Sequence, residues 1–249
     1  MKIFPALSPD LSAWLLNQPV FFVASAPLSA KHINISPKGL PSASFAVLSP
    51  NAAAYVDATG SGNETISHLR ENGRITVMFC SFDASPRILR LFCTGTVIEW
   101  NEPVFHPLLS RMGLEGKHLE SARAIISLDI FKVQTSCGYG VPRLALTTDP
   151  STHQPRPYLQ DRETLGHWAS QKIASNKLHE YQHEVNYDSL DGLPGLRAAM
   201  RARAGRLGQP WVDARIWACR HRRGLELVLA MLVSAVLTVV VMRAEILDI

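Results

Sequence analysis

The chain has 249 residues, which is enough for one sizeable domain and an appendage. Its composition, with 47% hydrophobic and 18% charged residues, is that of a globular protein. Of its 25 Lys and Arg residues, eight arginines crowd into 197–223, leaving 17 against 20 Asp and Glu elsewhere. The net charge of +4 is therefore local. The main body is mildly acidic, and we expect no nucleic acid as a partner.

Cysteine and histidine spacing argues against a metal site. The four cysteines contain no C-x-x-C pair, and the histidines show no H-E-x-x-H or similar spacing. Cys80 and Cys93 lie in apolar runs and are predicted to be buried free thiols, a usage that fits a reducing compartment. The chain also has no G-x-S-x-G, Walker or G-x-G-x-x-G motif, so hydrolase and Rossmann-type functions lose their usual support.

Strand-like runs separated by short turns dominate residues 1–135. A short helix is predicted to start at Ser8-Pro9-Asp10, and two more are predicted at 103–111 and 114–123. Many closely spaced strands with few helices favour a small barrel over a parallel sheet. The predicted strands are 20–25, 32–36, 44–48, 53–57, 74–82, 88–99 and 124–133.

The pattern divides the chain into four parts. Residues 1–146 form the barrel domain, and 147–196 form a linker with a helical extension, since 147–160 are polar and Pro-rich and 162–181 have helical spacing. Residues 197–223 are predicted to be a basic segment next to a membrane, and 224–242 a transmembrane anchor.

The anchor prediction depends on residues 225–242, which are 18 residues long and carry one charge, Glu226. Basic residues precede this run, so the positive-inside rule puts the N-terminal domain in the cytoplasm. We therefore predict a single transmembrane helix that anchors the protein to a membrane. The alternative is a buried C-terminal helix in a soluble protein.

The most informative stretch is 55–79, which predicts a strand, a Gly-Ser-Gly turn, a short helix and a second strand. Ser61 and Glu64 have the spacing of a capping box, and Gly73 stands where a helix ends in a left-handed residue. A glycine-flanked helix N-terminus offers backbone N–H groups to a phosphate. The loop 59–65 is therefore a candidate anion site; the alternative is an ordinary capped helix after a tight turn.

Two further segments are candidates for ligand contact. Arg87 and Arg90 lie on or next to an apolar strand and need an anionic partner, either a ligand or one of the carboxylates of Glu71, Asp83 and Glu99. The segment SCGYGVP at 136–142 has two glycines around Tyr139, which allow a flat ligand to approach the backbone closely and stack on the ring. An ordinary turn after the last barrel strand is the alternative for this segment.

The runs FFVASA, HINISPKG, FAVLSPNAAAYVDATGSGNETISHLRENGRITVMFCSF and PRILRLFCTGTVIE, with SCGYGVP and SLDGLPGL, resemble the pyridoxamine 5'-phosphate oxidase-like flavoproteins over about residues 15–196. The resemblance implies a mainly β (α+β) split barrel with short helices that forms a homodimer and binds FMN at the subunit interface. It places the FMN phosphate near Ser36, Lys38, Thr59, Ser61, Asn63 and Thr65. It places the isoalloxazine ring near Arg90, with Gln134 and Tyr139 contributed by the second subunit.

The sequence also departs from the true oxidases. It has Asn34-Ile35-Ser36-Pro37-Lys38-Gly39 where they carry R-x-V-L-L-K, and Glu64 stands in a loop where they place a basic residue. We therefore expect an FMN-dependent oxidoreductase of unknown substrate rather than an oxidase of pyridoxamine phosphate. The alternative is a non-catalytic, membrane-tethered module that binds flavin or haem, with His32 and His68 as the first haem-ligand candidates.

Overall fold

The computed structural model describes residues 1–114, 121–189, 191–205 and 208–247, with the side chains of 240–247 excepted. The chain divides into two compact units, Met1–Leu165 and Gly166–Ile249. In chain order the elements are β1 Lys2–Phe4, α1 Pro9–Leu16, β2 Val20–Ser25, β3 Asn34–Gly39, α2 Pro41–Ser44, β4 Phe45–Ser49, β5 Ala52–Ala58, α3 Glu64–Asn72, β6 Arg74–Cys80, β7 Ile88–Glu99, α4 Phe105–Arg111, β8 Ala122–Ser136, β9 Arg143–Thr148, β10 Pro155–Gln160, α5 Thr164–Ala174, α6 Leu178–Val185, α7 Arg197–Ala204, α8 Gly208–Arg220 and α9 Arg222–Leu247.

The first unit is built on one antiparallel sheet in the order β3-β2-β6-β7-β8-β5-β4, with β1 added to β8. The consecutive strands β3 and β4 are its two edges, so the sheet curls into a barrel that stays open between them. Its interior is packed by an aromatic cluster of Phe21, Phe45, Tyr55 and Phe79, whose neighbouring ring centroids lie 5.3–5.8 Å apart. The split barrel with short helices is thus confirmed.

Strand periodicity was the reliable signal in the barrel. The predicted strands 20–25 and 88–99 match β2 and β7 at both ends, and the other five predicted strands overlap β3, β4, β5, β6 and β8. On β2 the side chains alternate between buried and half-buried positions, which is the period of a strand with one face in a core. The three strands β1, β9 and β10 were not predicted.

Two segments differ from their predicted form. The stretch 147–160, interpreted as part of a linker, lies in the antiparallel hairpin of β9 and β10. The helix predicted at 114–123 falls largely on residues 115–120, which lie outside the described part of the chain. Its last residues, Ala122 and Arg123, belong to β8 instead.

Helix ends show which local signals were decisive. Ser8 caps α1 as predicted, its Oγ accepting from the Leu11 N–H at 3.2 Å. Gly73 ends α3 with a φ of 70°, the left-handed conformation expected of it. The predicted capping box of Ser61 and Glu64 is wrong, because α3 begins at Glu64 and its N-cap residue is Asn63. No side chain makes a capping hydrogen bond there.

The C-terminal helix α9 spans 26 residues from Arg222. Among the residues that the structure describes, no helix combines the length and the apolar character that a membrane crossing requires. The transmembrane anchor predicted at 224–242 is therefore wrong, and with it the single-pass membrane localisation. The helix begins before the apolar run, so its first turns carry charges, and Arg222 Nε donates to Glu226 Oε1 at 2.7 Å.

The buried thiol of Cys93 should make the free energy of unfolding depend on pH. Cys80 and Cys93 are free and buried, as predicted. Burial, reinforced by Asp129, raises the pKa of the Cys93 thiol from 9.0 to about 12. Between these values the unfolded chain loses a proton that the folded chain keeps, so the free energy of unfolding falls as pH rises.

We expect the Cys93 thiol to remove about 1.4 kcal/mol of stability between pH 8 and pH 10, since one pKa unit corresponds to about that energy. Urea unfolding under reducing conditions at the two pH values measures this loss. Between pH 8 and pH 10, a Cys93→Val variant should lose about 1.4 kcal/mol less stability than the parent, because it has no thiol at this position to ionise. If the variant loses as much as the parent, the thiol is not the cause.

Candidate functional site

Polar side chains from β3, β5, α3 and β8 gather at the open edge of the barrel. The β3 side chains alternate, so Asn34, Ser36 and Lys38 share the face that carries buried Phe21 and Val23 on the paired strand β2. The Asn34 amide donates to Ser36 Oγ at 3.1 Å and to Thr65 Oγ1 at 2.9 Å. This amide therefore joins two of the predicted phosphate contacts, one on β3 and one on α3.

Lys38 and two residues that sequence analysis did not select form the charged centre of this region. Asp57, at the end of β5, is only 2% exposed. Its Oδ1 lies 2.8 Å from Lys38 Nζ, and its Oδ2 lies 2.8 Å from Arg123 Nε. The two cations are 21% and 25% exposed at their side chains, so they are accessible from solvent while the carboxylate between them is not.

Arg123 also holds the loop that precedes α3. Its guanidinium donates to the carbonyls of Gly60 and Gly62 at 3.4 and 2.7 Å. Thr59 fixes the start of the same loop, because its N–H and its hydroxyl both donate to the Ser121 carbonyl, at 2.6 and 2.8 Å. The loop is thereby tied to the start of β8 rather than to its own helix.

The N-terminus of α3 completes the arrangement. Because no side chain caps it, its first-turn N–H groups are not taken by a local acceptor side chain. Asn63 and Ser61 are both exposed in the loop, and the Asn63 amide makes only a long contact of 3.5 Å with Ser67 Oγ. We call Ser36, Lys38, Thr59, Ser61, Asn63 and Thr65, together with Asp57 and Arg123, the barrel-edge cluster.

Tyr55 is a buried polar neighbour of the barrel-edge cluster. Its hydroxyl has no hydrogen-bond partner among the described residues, and Lys38 Nζ lies 5.5 Å from its ring centroid. Burial raises the pKa of this phenol well above its usual value, and the Asp57 carboxylate raises it further. Tyr55 is therefore a neutral hydroxyl close to the charged centre.

The remaining predicted residues lie elsewhere. Arg90, on β7, is in register with Gln134 on β8 and with Met78 on β6, which continues the row to Phe22 on β2. This row alternates with the buried residues and lies on the outer face of the sheet, opposite the face of Lys38. Within one chain the nine predicted residues thus do not form a single site.

The two arginines selected from the sequence, Arg90 and Arg87, have contacts of their own. Arg90 Nη1 donates to Gln134 Oε1 and Ser136 Oγ, both at 3.4 Å. The guanidinium of Arg87 lies 5.4 Å from the ring centroid of Trp14. These contacts take the place of the carboxylate pairs considered for the two arginines.

Tyr139 is half-buried in the loop after β8, between two glycines in different environments. A Cβ on Gly138 would lie 2.6 Å from the Arg87 backbone nitrogen, whereas one on Gly140 would meet nothing within 4 Å. The close approach that Gly138 permits is therefore to the chain's own backbone. Arg162 stabilises the same region, donating to the carbonyls of Val141 and Ala84 at 2.6 and 3.0 Å.

The sequence by itself indicates only weakly that Asp57 and Arg123 belong to the site. Asp57 occurs in phase with Tyr55 on an otherwise apolar strand, and a carboxylate in that position needs a cation. Arg123 lies 66 residues away along the chain. Nothing local indicates that β5 and β8 are neighbours, so the pair becomes visible only when the two strands meet.

This antiparallel split barrel with a polar cluster at its open edge has clear relatives. The family model for pyridoxamine 5'-phosphate oxidase matches residues 7–137. The pyridoxamine 5'-phosphate oxidase family protein ustO of Aspergillus flavus is 56% identical over 229 residues, covering 92% of this chain and 90% of that protein. The chain belongs to the pyridoxamine 5'-phosphate oxidase family, as its sequence predicted.

Solved structures resemble the barrel at much lower identity. A variant of HupZ from Group A Streptococcus is 16% identical with a TM-score of 0.41, covering 52% of this chain and 98% of that one. An FMN-binding protein from Syntrophomonas wolfei subsp. wolfei is 13% identical with a TM-score of 0.36, covering 51% of this chain and 88% of that one. At these values the likeness carries no information about what this chain binds.

Proposed function

We propose that this protein binds FMN, with the flavin phosphate held by the barrel-edge cluster, and that it is an FMN-dependent oxidoreductase. The observation that supports this most directly is the convergence of Lys38 and Arg123 on Asp57, beside the uncapped N-terminus of α3. Membership in the pyridoxamine 5'-phosphate oxidase family supports the same proposal.

The residues of the cluster fit a phosphate group in their chemistry. Lys38 and Arg123 outnumber Asp57, so the charged centre carries a net charge of +1. Hydroxyls and backbone N–H groups are the donors that commonly complete phosphate sites at helix N-termini. Glu64 opposes a phosphate here, because its carboxylate lies over Gly62, 2.7 Å from where a Cβ would stand.

FMN, when bound, supplies one- and two-electron transfer, and the protein contributes binding, orientation and electrostatics. In this proposal Asp57 positions the two cations, and Arg123 holds the carbonyls of Gly60 and Gly62 so that the loop keeps its shape. Lys38 and the hydroxyls of Ser36 and Thr65 then bind the phosphate oxygens. We assign no general acid or base.

We further propose that the protein is a homodimer formed through the outer face of the β3-β2-β6-β7 part of the sheet. Two neighbouring rows on this face carry half-buried or exposed apolar side chains. Monomers rarely leave a large contiguous apolar surface in water. The rows contain Pro37, Phe22 and Met78 next to Arg90, and Ile35, Ala24 and Phe92.

Light scattering on a gel-filtration column should therefore give twice the chain mass, and Phe22→Glu, between Pro37 and Met78, should give the chain mass. Burying an unpaired carboxylate in an apolar interface is strongly unfavourable. Thr147→Glu, at an exposed position of β9 and outside this part of the sheet, is the matched control and should remain dimeric. A parent protein that is monomeric at micromolar concentration would rule the dimer out.

The visible spectrum of the purified full-length chain tests the flavin proposal. We expect an absorbance maximum near ~450 nm and FMN in the supernatant after denaturation. Flavin-free protein should bind added FMN more tightly than riboflavin, because only FMN carries the phosphate. A colourless protein that does not bind FMN would disprove the proposal, and a Soret band would indicate haem instead.

Reduction of the bound flavin distinguishes an enzyme from a binding module. Anaerobic addition of NADH or NADPH should bleach the flavin band if the protein is an oxidoreductase that accepts electrons from a nicotinamide. A protein that holds FMN but is reduced by neither donor nor by a panel of substrates supports the non-catalytic alternative.

A further inference from the structure

An open cleft lies beside the β3–α3 region, and neither cation of the proposed flavin site lines it. It has a volume of about 770 Å³ and runs between α3 and the connection from β2 to β3. Its α3 wall contains Glu64, Ser67, His68 and Glu71, the spacing of one helix face. His32 and Ile33 lie on the opposite wall.

His68 is the buried polar group in this cleft. It is 8% exposed, and its Nδ1 lies 2.9 Å from the Oγ of buried Ser25. The ring lines the cleft, and Nε2 makes no hydrogen bond with any described residue. A buried ring held at one nitrogen thus presents its second nitrogen, without a protein partner, to a cavity large enough for a small molecule.

The charges around the cleft select the class of ligand. Two carboxylates line it, Glu64 and Glu71, and none of its lining residues is Lys or Arg. Glu71 is held in place, because its Oε2 accepts from the Leu28 N–H at 2.9 Å, which leaves Oε1 for a ligand. A site of this kind favours a cation and disfavours phosphate.

The chemistry is also not that of a metal centre. Within the described part of the chain, no three His, Cys, Asp or Glu side chains are grouped so that they could hold a metal ion. Several of the cleft's walls are apolar, including Pro27, Ala30 and Ile33. An organic cation with a small apolar body matches both the negative charge of the cleft and its apolar lining.

We propose that this cleft binds a small organic amine in its ammonium form. The ammonium pairs with the Oε1 that Glu71 keeps for a ligand and donates to His68 Nε2. The Nδ1 proton of His68 then donates to Ser25 Oγ, which sets the tautomer that leaves Nε2 as an acceptor. The cleft adjoins the barrel-edge cluster through Asn34, but neither Lys38 nor Arg123 lines it, so the two sites use different charged groups.

Benzylamine is a suitable probe, with benzyl alcohol as its neutral match and benzoate as its anionic match. NMR of the His68 ring at pH 8, in flavin-free and flavin-loaded protein, follows binding directly. We expect benzylamine to shift the ring resonances saturably and both matched compounds to leave them unchanged at the same concentrations. If benzyl alcohol shifts them as strongly as benzylamine, or if benzylamine does not shift them, the proposal is wrong.

Two variants separate the role of each group. Glu71→Gln keeps the acceptor for Leu28 but removes the charge, and it should weaken benzylamine binding about tenfold, equivalent to about 1.4 kcal/mol. His68→Asn keeps a polar atom near Ser25 but removes Nε2, and it should weaken binding similarly. Glu184→Gln, on the surface of α6, is the charge-matched control and should bind benzylamine like the parent.

The same variants show whether a failure belongs to this site or to the flavin site. FMN affinity should be unchanged in Glu71→Gln and His68→Asn, because neither side chain belongs to the barrel-edge cluster. A variant that loses benzylamine while keeping FMN supports the amine site. Unchanged benzylamine affinity in both variants would overturn it, whatever the outcome of the flavin titration.

Discussion

Replacing Lys38 with methionine should weaken FMN binding by a factor of about 10 to 100 and leave riboflavin binding nearly unchanged. The Nζ of Lys38 is partly exposed at the barrel edge, and a charge-assisted hydrogen bond to a phosphate contributes about 1.5–3 kcal/mol. Riboflavin has no phosphate and loses nothing when the lysine is removed. The dissociation constant for riboflavin divided by that for FMN, both measured by flavin fluorescence, should therefore fall towards one.

Controls for this prediction must separate charge from folding. Lys38→Arg keeps the charge next to Asp57 and should retain much of the preference for FMN. Lys172→Met removes a half-buried lysine in the second unit and should bind FMN like the parent. Urea unfolding of each flavin-free variant measures any loss of stability, since Lys38 also pairs with buried Asp57. If Lys38→Met binds FMN and riboflavin in the parent's ratio, the phosphate does not lie at the barrel edge.

Gly138→Ala should destabilise the first unit by about 2–3 kcal/mol, within the range of overpacked buried sites. The new Cβ would lie 2.6 Å from the Arg87 nitrogen and 3.1 Å from its carbonyl carbon. Both are backbone atoms, so no flexible side chain can move aside. Arg162 makes the approach harder to relax, because it donates to the carbonyls of Ser81 and Val141 at 3.1 and 2.6 Å and so ties the loop of Gly138 to the segment before β7.

Gly140→Ala is the matched control for this substitution. Gly140 lies two residues further along the same loop, and a Cβ there meets nothing within 4 Å. Urea or thermal unfolding should show the large loss for Gly138→Ala and a change within about 0.5 kcal/mol for Gly140→Ala. Equal losses in the two variants would mean that replacing any glycine of this loop lowers the free energy of unfolding, and that the contact with Arg87 is not the cause.

Sequence patterns predicted the barrel well because each strand can be recognised from its own alternation of apolar and polar residues. On β2 and β7 one side chain in two faces the core, and the apolar positions repeat with that period. Gly73 was equally predictable, since a left-handed residue at a helix end favours glycine whatever surrounds it. The capping box failed because Ser61 lies in a loop that Arg123 and Ser121 hold, and tertiary contacts overrode a local preference.

The candidate site was predictable in part. Family resemblance selected Ser36, Lys38 and Thr65, and the structure brings Ser36 and Thr65 onto the same amide of Asn34. Asp57 was not selected, because its role depends on partners from β3 and β8 that are remote along the chain. Sheet order, rather than any local motif, creates that contact.

The amino-acid sequence by itself determined the split-barrel class, most of the strand positions and the family. Apolar residues that alternate along each strand, the turn residues between strands and a family resemblance over most of the chain can all be recognised without a structure. Only the tertiary structure decided that Lys38 and Arg123 share one buried carboxylate, and that Arg90 lies on the opposite face of the sheet. It also overturned the C-terminal anchor. The physical reason is that an ion pair depends on which strands become neighbours, and long-range pairing leaves no period in the sequence.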